Sequence, residues 1–118
     1  MHICTKVTLA DFLKGKRPAA VALFRRVAAM VRSFGPAQVM PQKTRVGFRA
    51  RKGFLGVRFL RDAIDCELTL PRRIEHARFR QILSISPHSH YHSLRLSSPA
   101  ETDRDVRGWL REAYRAAR

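Results

Sequence analysis

Three stretches in the middle of the sequence alternate apolar and polar residues, and this pattern constrains the fold more than any other feature. They lie at residues 45–51, 54–59 and 64–70. Successive side chains of a β-strand point to opposite faces, so such alternation predicts strands that are buried on one face only. The residues "RKG" at 51–53 supply a turn between the first two stretches. The sequence therefore predicts an antiparallel meander with one apolar face.

Helix signals precede the meander. Thr8 with Asp11 predicts the cap of a short first helix over residues 9–14. Pro18 suits the first turn of a longer helix that ends at Gly35. Apolar residues recur along this longer helix at steps of three and four, which predicts one buried stripe.

Strand and helix signals also follow the meander. Two further short strands are predicted around residues 80–86 and 90–97. Ser98, with Glu101 three residues later, then predicts the capping box of a last helix over residues 99–117. We expect a two-layer α+β fold, in which the N-terminal helices and the C-terminal helix pack on one face of an antiparallel sheet of about five strands.

The length of 118 residues predicts a single α+β domain over residues 1–118. No apolar run approaches the roughly 20 residues that a membrane helix needs, and the N-terminus lacks the features of a secretory signal. We therefore expect a soluble cytoplasmic protein without membrane contacts. Cys4 and Cys66 have no metal-ligand spacing and are predicted to be free thiols.

The formal net charge of +15 is the strongest compositional signal. A surface so basic concentrates anions, which favours nucleic acid or a phosphorylated ligand as partner. Nineteen of the 24 basic residues are arginines, a bias that a GC-rich genome also produces. The positions of the arginines must therefore distinguish binding from composition.

One predicted basic surface lies on the polar face of the meander. The candidate anion-binding residues there are Lys43, Thr44, Arg45, Arg49, Arg51, Phe54 and Arg58. Gly47 and Gly56 would leave a shallow floor between these side chains, where guanidinium groups bind phosphate and the Phe54 ring stacks on a base. In the alternative, Asp65 and Glu67 pair with the arginines across the sheet and the arrangement is structural.

The last helix predicts a second basic surface. At 100° per residue, one sector of this helix carries Arg104, Arg107, Arg111, Arg115 and Arg118. Such a row could follow a nucleic-acid backbone or bind an acidic protein partner. A charged outer face is also ordinary for a surface helix.

A run of alternating histidines suggests a third kind of site. His88, His90 and His92 would lie on one side of a strand, and three protein ligands are common in catalytic zinc sites. Leu94 and Leu96 continue the same face, which favours histidines at the rim of the core instead. The sequence contains no G-x-S-x-G nucleophile motif.

Four motifs in fixed order resemble those of the bacterial domain-of-unknown-function family 5655. They are "PQKTRVGF", "LTLPRR", "HSLRL" and "DVRGWLREAY", and the similarity extends from about residue 12 to 115. The resemblance implies the domain boundaries and the α+β fold, but no reaction, cofactor or catalytic residue.

Our main hypothesis from the sequence is a non-catalytic module that binds anions, with nucleic acid favoured, and that needs no cofactor. One alternative is a small metal-dependent or acid–base enzyme that uses the three histidines. The other is a protein-interaction module with an acidic partner.

Overall fold

The structure is a computed structural model and describes residues 8–118. Three helices, six strands and one 3₁₀ turn follow one another in this part of the chain. The elements are α1 (Leu9–Leu13), α2 (Pro18–Phe34), β1 (Gln38–Pro41), β2 (Arg45–Arg49), β3 (Gly53–Phe59), β4 (Ile64–Leu70), β5 (Phe79–Ser86), β6 (Ser89–Leu96), the 3₁₀ turn (Pro99–Glu101) and α3 (Arg104–Ala117).

The two N-terminal helices begin where the local signals predicted; α1 ends at Leu13, one residue earlier than predicted, and α2 ends just before Gly35. The Thr8 hydroxyl accepts a hydrogen bond from the Asp11 backbone N–H at 3.1 Å and caps α1. Pro18 occupies the first turn of α2. Gly35 follows the last residue of α2 and has a φ of 146°, a backbone conformation that residues other than glycine rarely adopt.

All strands pair antiparallel in one sheet, in the order β1-β2-β3-β4-β6-β5. The sheet has six strands rather than about five. The additional strand is β1, whose four residues "QVMP" are too few to show an alternating pattern. Its pairing with β2 is a tertiary effect that local sequence does not reveal.

The helices cover one face of the sheet and leave the other open, so the predicted α+β layering is confirmed. In β4 the buried residues alternate strictly with half-buried ones. Aromatic contacts join the two layers: the Phe24 ring of α2 lies 5.9 Å from Phe48 of β2, and Phe12 lies 5.5 Å from Phe59. Within residues 8–118, no helix has the length and apolarity needed to cross a membrane.

The last helix is shorter than predicted. Ser98 and Glu101 do form a capping box, but it closes the 3₁₀ turn, not a helix over 99–117. α3 begins at Arg104 because Asp103 provides a second cap, accepting a hydrogen bond from the Val106 N–H at 3.2 Å. Two consecutive cap signals cannot be ranked from sequence alone.

Of the two predicted free thiols, Cys66 lies within the described residues. Cys66 is free and fully buried on β4, where burial raises the pKa of its thiol to about 12. A thiol with such a pKa stays protonated and unreactive near neutral pH. Cys4 lies outside the described residues.

Candidate anion-binding surfaces

The open face of the sheet carries two transverse rows of residues that the strand register aligns. In one row Gly47 lies beside Gly56, and Gly56 beside Glu67. In the next row Arg45, Arg58, Asp65 and Arg95 are neighbours on successive strands. The predicted arginines of β2 and β3 therefore do share the open face with the two acids of β4.

Both of these acids are paired with arginine. Arg45 Nη1 lies 2.7 Å from Glu67 Oε1. Asp65 pairs instead with Arg95 of β6, whose guanidinium donates two hydrogen bonds of 2.8 and 3.2 Å. The structural alternative therefore holds for Arg45, while Arg49 and Arg58 make no ion pair among residues 8–118.

The floor expected between the two glycines is covered by side chains. A Cβ at Gly56 would lie 3.2 Å from Glu67 Oε1 and 3.6 Å from Arg45 Cδ, so the ion pair lies directly over this glycine. Met40 and Gln42 lie equally close to Gly47. Gly56 thus makes room for the ion pair, and the remaining cleft of about 300 Å³ has walls of mixed charge.

Tyr91 completes a hydrogen-bonded chain in this cleft. Its hydroxyl donates to Glu67 Oε2 at 3.0 Å, and the other carboxylate oxygen accepts from Arg45. Burial and the bond to Glu67 raise the pKa of Tyr91. Arg45 also donates to Gln42 Oε1 at 3.3 Å, so polar side chains of neighbouring strands satisfy one another.

Phe54 borders the cleft of the open face, but its ring is buried, so the prediction of a ring exposed for stacking there is wrong. Its side chain is 2% exposed, and its ring packs edge-to-face on Tyr114 of α3 at 5.6 Å. The cause is an irregularity in the β2–β3 pairing: Phe48 pairs with Leu55, but Arg49 pairs with Gly53. The extra residue breaks the alternation, and Phe54 is buried on the helix side.

The predicted arginine row on the last helix is exposed along its whole length. Its members are Arg104, Arg107, Arg111, Arg115 and Arg118. All but Arg104 line one groove between α2 and α3, which we call the helix groove; its other walls are Ser33, Phe34 and Tyr114. No arginine of the row makes an ion pair with any acid among residues 8–118.

Local structure explains part of this arrangement. The Arg107 guanidinium carbon lies 5.4 Å from the centre of the Phe34 ring, a cation–π contact that fixes one wall of the groove. Arg115 and Arg118 lie at the C-terminal end of α3, where the helix dipole favours positive charge.

Two of the predicted sheet arginines extend the helix groove. Arg49 and Arg51 line a shallow depression together with Arg118. This end of the meander is held against α3, because the backbone N–H groups of Arg51 and Lys52 donate to the Ala117 carbonyl at 2.8 and 2.9 Å. Lys43 and Thr44 are exposed in the loop between β1 and β2 and line neither depression.

The three histidines are not brought together as a ligand set. His92 is fully buried, its Nε2 accepts the Ile74 N–H at 3.0 Å, and its Nδ1 lies 3.0 Å from the His90 carbonyl. Both His90 nitrogens contact Ser84 or Pro87, while His88 is exposed in the turn between β5 and β6. The part of the chain that the structure describes holds no group of three possible ligands suited to a metal.

The sequence did not identify some residues of these surfaces. Arg95 and Tyr91 occupy the polar positions of β6, which the alternation with Leu94 and Leu96 could have shown. Their pairing with β4 could not be foreseen, because it depends on the strand order. Phe34 continues the apolar stripe of α2 in the sequence, but it is only half-buried and forms a wall of the helix groove.

These features define a small α+β domain with a mixed-charge sheet face and a basic groove between two helices. The chain belongs to the family described as a domain of unknown function, DUF5655, whose sequence model matches residues 9–117. No curated protein and no solved structure matches the chain. The family confirms the predicted resemblance and assigns no activity, so the function must be argued from the surface itself.

Proposed function

We propose that the domain is a non-catalytic binding module for a linear polyanion, most specifically nucleic acid, and that the helix groove is its contact surface. One observation carries the proposal: four exposed arginines line a single groove, and none of them has an acidic partner among residues 8–118. Unpaired guanidinium groups retain all their hydrogen-bond donors for phosphate oxygens.

The acids of the domain are used elsewhere. Six of its nine acidic residues form ion pairs with arginines outside the groove. On α3 itself, Glu112 accepts two hydrogen bonds from Arg72, and Asp103 accepts two from Arg78. The arginines of the groove therefore lack acidic partners among residues 8–118, whereas two acids of the sheet face neutralise Arg45 and Arg95.

The spacing of the arginines favours a polymer over a small anion. Arg107, Arg111 and Arg115 follow one another at four-residue intervals, which is a rise of about 6 Å each along the helix axis. A single phosphate cannot contact all three, but successive phosphates of one strand can. Arg49 and Arg51 would lengthen the contact beyond the C-terminal end of α3.

The direct test is binding of fluorescently labelled single- and double-stranded oligonucleotides, measured by anisotropy at increasing salt after nuclease treatment of the protein. We expect log K to fall linearly with log salt, by about 0.7–0.9 per phosphate contact and thus by about 3 for four arginines. Absence of binding at low ionic strength would refute the proposal.

Poly-glutamate of matched charge serves as the competitor. It should compete poorly, because its carboxylates lie on a flexible chain and lack the regular spacing of phosphates along a nucleic-acid strand. Equal competition would replace nucleic acid by an acidic protein partner. The histidine-based enzyme has less support, because both nitrogens of His92 already have hydrogen-bond partners.

A further inference from the structure

The two edges of the sheet differ in how well they are protected against further pairing. At one edge, β1 has only four residues and ends at Pro41, which has no N–H to donate. At the other edge, β5 extends over the eight residues Phe79–Ser86. Natural proteins usually blunt an edge with proline, charge, short length or a bulge. Residues 81–86 of β5 contain no proline or charge, and the irregularities in its pairing lie between Phe79 and Gln81 and between Ser84 and Ser86.

The composition of β5 favours pairing. Residues 81–86, "QILSIS", contain no charge, glycine or proline. Leu83 is 50% exposed and Ile85 is 69% exposed, and they are the two most exposed large apolar side chains among residues 8–118. Among residues 8–118, the backbone groups of Arg80–Ser86 make no backbone hydrogen bonds other than those within the sheet.

What can cover such an edge is determined by its backbone groups. Unpaired N–H and C=O groups along a strand are satisfied by another extended strand. An acidic peptide would find no charge in residues 81–86 to pair with. A strand of the same uncharged, apolar character fits better, and β5 of a second copy is such a strand.

Self-pairing keeps the single arginine of β5 away from its counterpart in the second copy, while the net charge of +15 on each copy opposes association at low salt. If two β5 strands run antiparallel about a two-fold axis at Ile82 or Leu83, Arg80 lies opposite Ser84 or Ser86 of the second copy. The arginines are thus kept at opposite ends of the pair. Irregular pairing with β6 at both ends of β5 confines the regular part to Gln81–Ser84, so the contact is short.

We infer that β5 pairs antiparallel with β5 of a second copy, forming a dimer with one continuous sheet. The two-fold axis of such a pair is perpendicular to the sheet, so both helix layers lie on the same side. Two helix grooves would then face one polyanion and strengthen binding by avidity. The dimer itself does not depend on the proposed nucleic-acid function.

The test is sedimentation velocity over a hundredfold range of concentration, on protein freed of nucleic acid and at moderate salt to screen the net charge. We expect a dimer whose fraction rises with concentration. The variant Leu83→Lys places like charges at the centre of the pair and should remain monomeric. Leu60→Lys is the matched control, since Leu60 is also exposed, at 37%, but lies outside β5, and it should dimerise as the unmodified protein does.

Hydrogen exchange locates the contact independently of charge changes. Backbone amides in Gln81–Ser84 should become more protected as concentration rises. A protein that stays monomeric at every concentration would overturn the inference. So would Leu83→Lys that dimerises unchanged, or a dimer in which these amides exchange at a concentration-independent rate. Circular dichroism of both variants establishes that they are folded.

Discussion

The open sheet face and the helix groove are both rich in arginine, yet only one of them has acids within reach. On the sheet, Glu67 pairs with Arg45 and Asp65 with Arg95, at 2.7 and 2.8 Å. Along the helix groove no such pair forms. Strand pairing places residues distant in sequence about 5 Å apart. Glu67 of β4 therefore reaches Arg45 of β2 across Gly56 of β3, and Asp65 reaches Arg95 on the adjacent β6.

The comparison teaches that arginine density in a sequence does not measure how much positive charge is available for a ligand. On α3 the helical period turns Glu112 away from the groove toward Arg72. We therefore expect the paired sheet arginines to act mainly on stability, and we propose that the groove arginines act mainly on binding.

The largest expected effect concerns the buried side of β2. Replacing Phe48 by Ala should lower the free energy of unfolding by about 3–5 kcal/mol, as truncation of a buried phenylalanine does. Phe48 is fully enclosed and contacts the Phe24 ring. Ile85→Ala, at an exposed position, should change it by less than about 0.5 kcal/mol. Urea denaturation measures both, and comparable losses would contradict the assignment of faces.

These faces illustrate how far the sequence determines the fold. Period-two alternation predicted β2, β3 and β4, because each has one buried face. It failed at Phe54, which the alternation assigns to the polar face. The irregular pairing of β2 with β3 buries this residue instead. β1 was missed because four residues show no period, and its place in the sheet depends on β2.

The site could be predicted only in part for a similar reason. The arginine row of α3 follows from helix geometry within one element, and its exposure is as expected. Which sheet arginine pairs with which acid depends on β6 lying between β4 and β5, an arrangement that no local pattern encodes. The sequence therefore gives the numbers of acids and arginines on the sheet face but does not predict which of them form ion pairs.

Acid should affect stability and binding differently. Burial, chiefly, lowers the pKa of His92 in the folded state. Below about pH 6.5 the unfolded chain gains a proton at this histidine that the folded protein does not. The free energy of unfolding therefore decreases as the pH is lowered, by up to about 1.4 kcal/mol per pH unit, until the lowered pKa is reached. Arginine stays charged throughout, so groove affinity per folded molecule should not change.

Urea titrations at pH 7.5 and 5.5 test this expectation. His92→Gln removes the titrating group and should weaken the dependence on pH even if it costs stability. His88→Gln, at an exposed position, is the control and should retain the full dependence. An unchanged pH dependence in His92→Gln would assign it to other groups.

The Arg45–Glu67 pair should contribute a smaller, measurable coupling. Glu67 has only 13% of its side chain exposed, so loss of Arg45 leaves a carboxylate that is poorly solvated. We expect Arg45→Gln to cost about 1 kcal/mol, with a coupling of about 0.5–1 kcal/mol in a double-mutant cycle with Glu67→Gln. Arg111→Gln in the helix groove should leave the free energy of unfolding unchanged within about 0.5 kcal/mol. A larger cost at Arg111 would mean that groove arginines are structural as well.

The most direct test compares the salt dependence of oligonucleotide binding by two charge-matched double variants. Arg111→Gln/Arg115→Gln alters the helix groove, and Arg45→Gln/Arg58→Gln alters the sheet face; each removes two positive charges, and circular dichroism establishes the folded fraction. The account predicts that the groove variant lowers the slope of log K against log salt for double-stranded DNA by about 1.8, while the sheet variant leaves it unchanged. An equal decrease of the slope in both variants would show that only net charge matters. A decrease confined to the sheet variant would place the binding surface on the open sheet face and contradict the proposal.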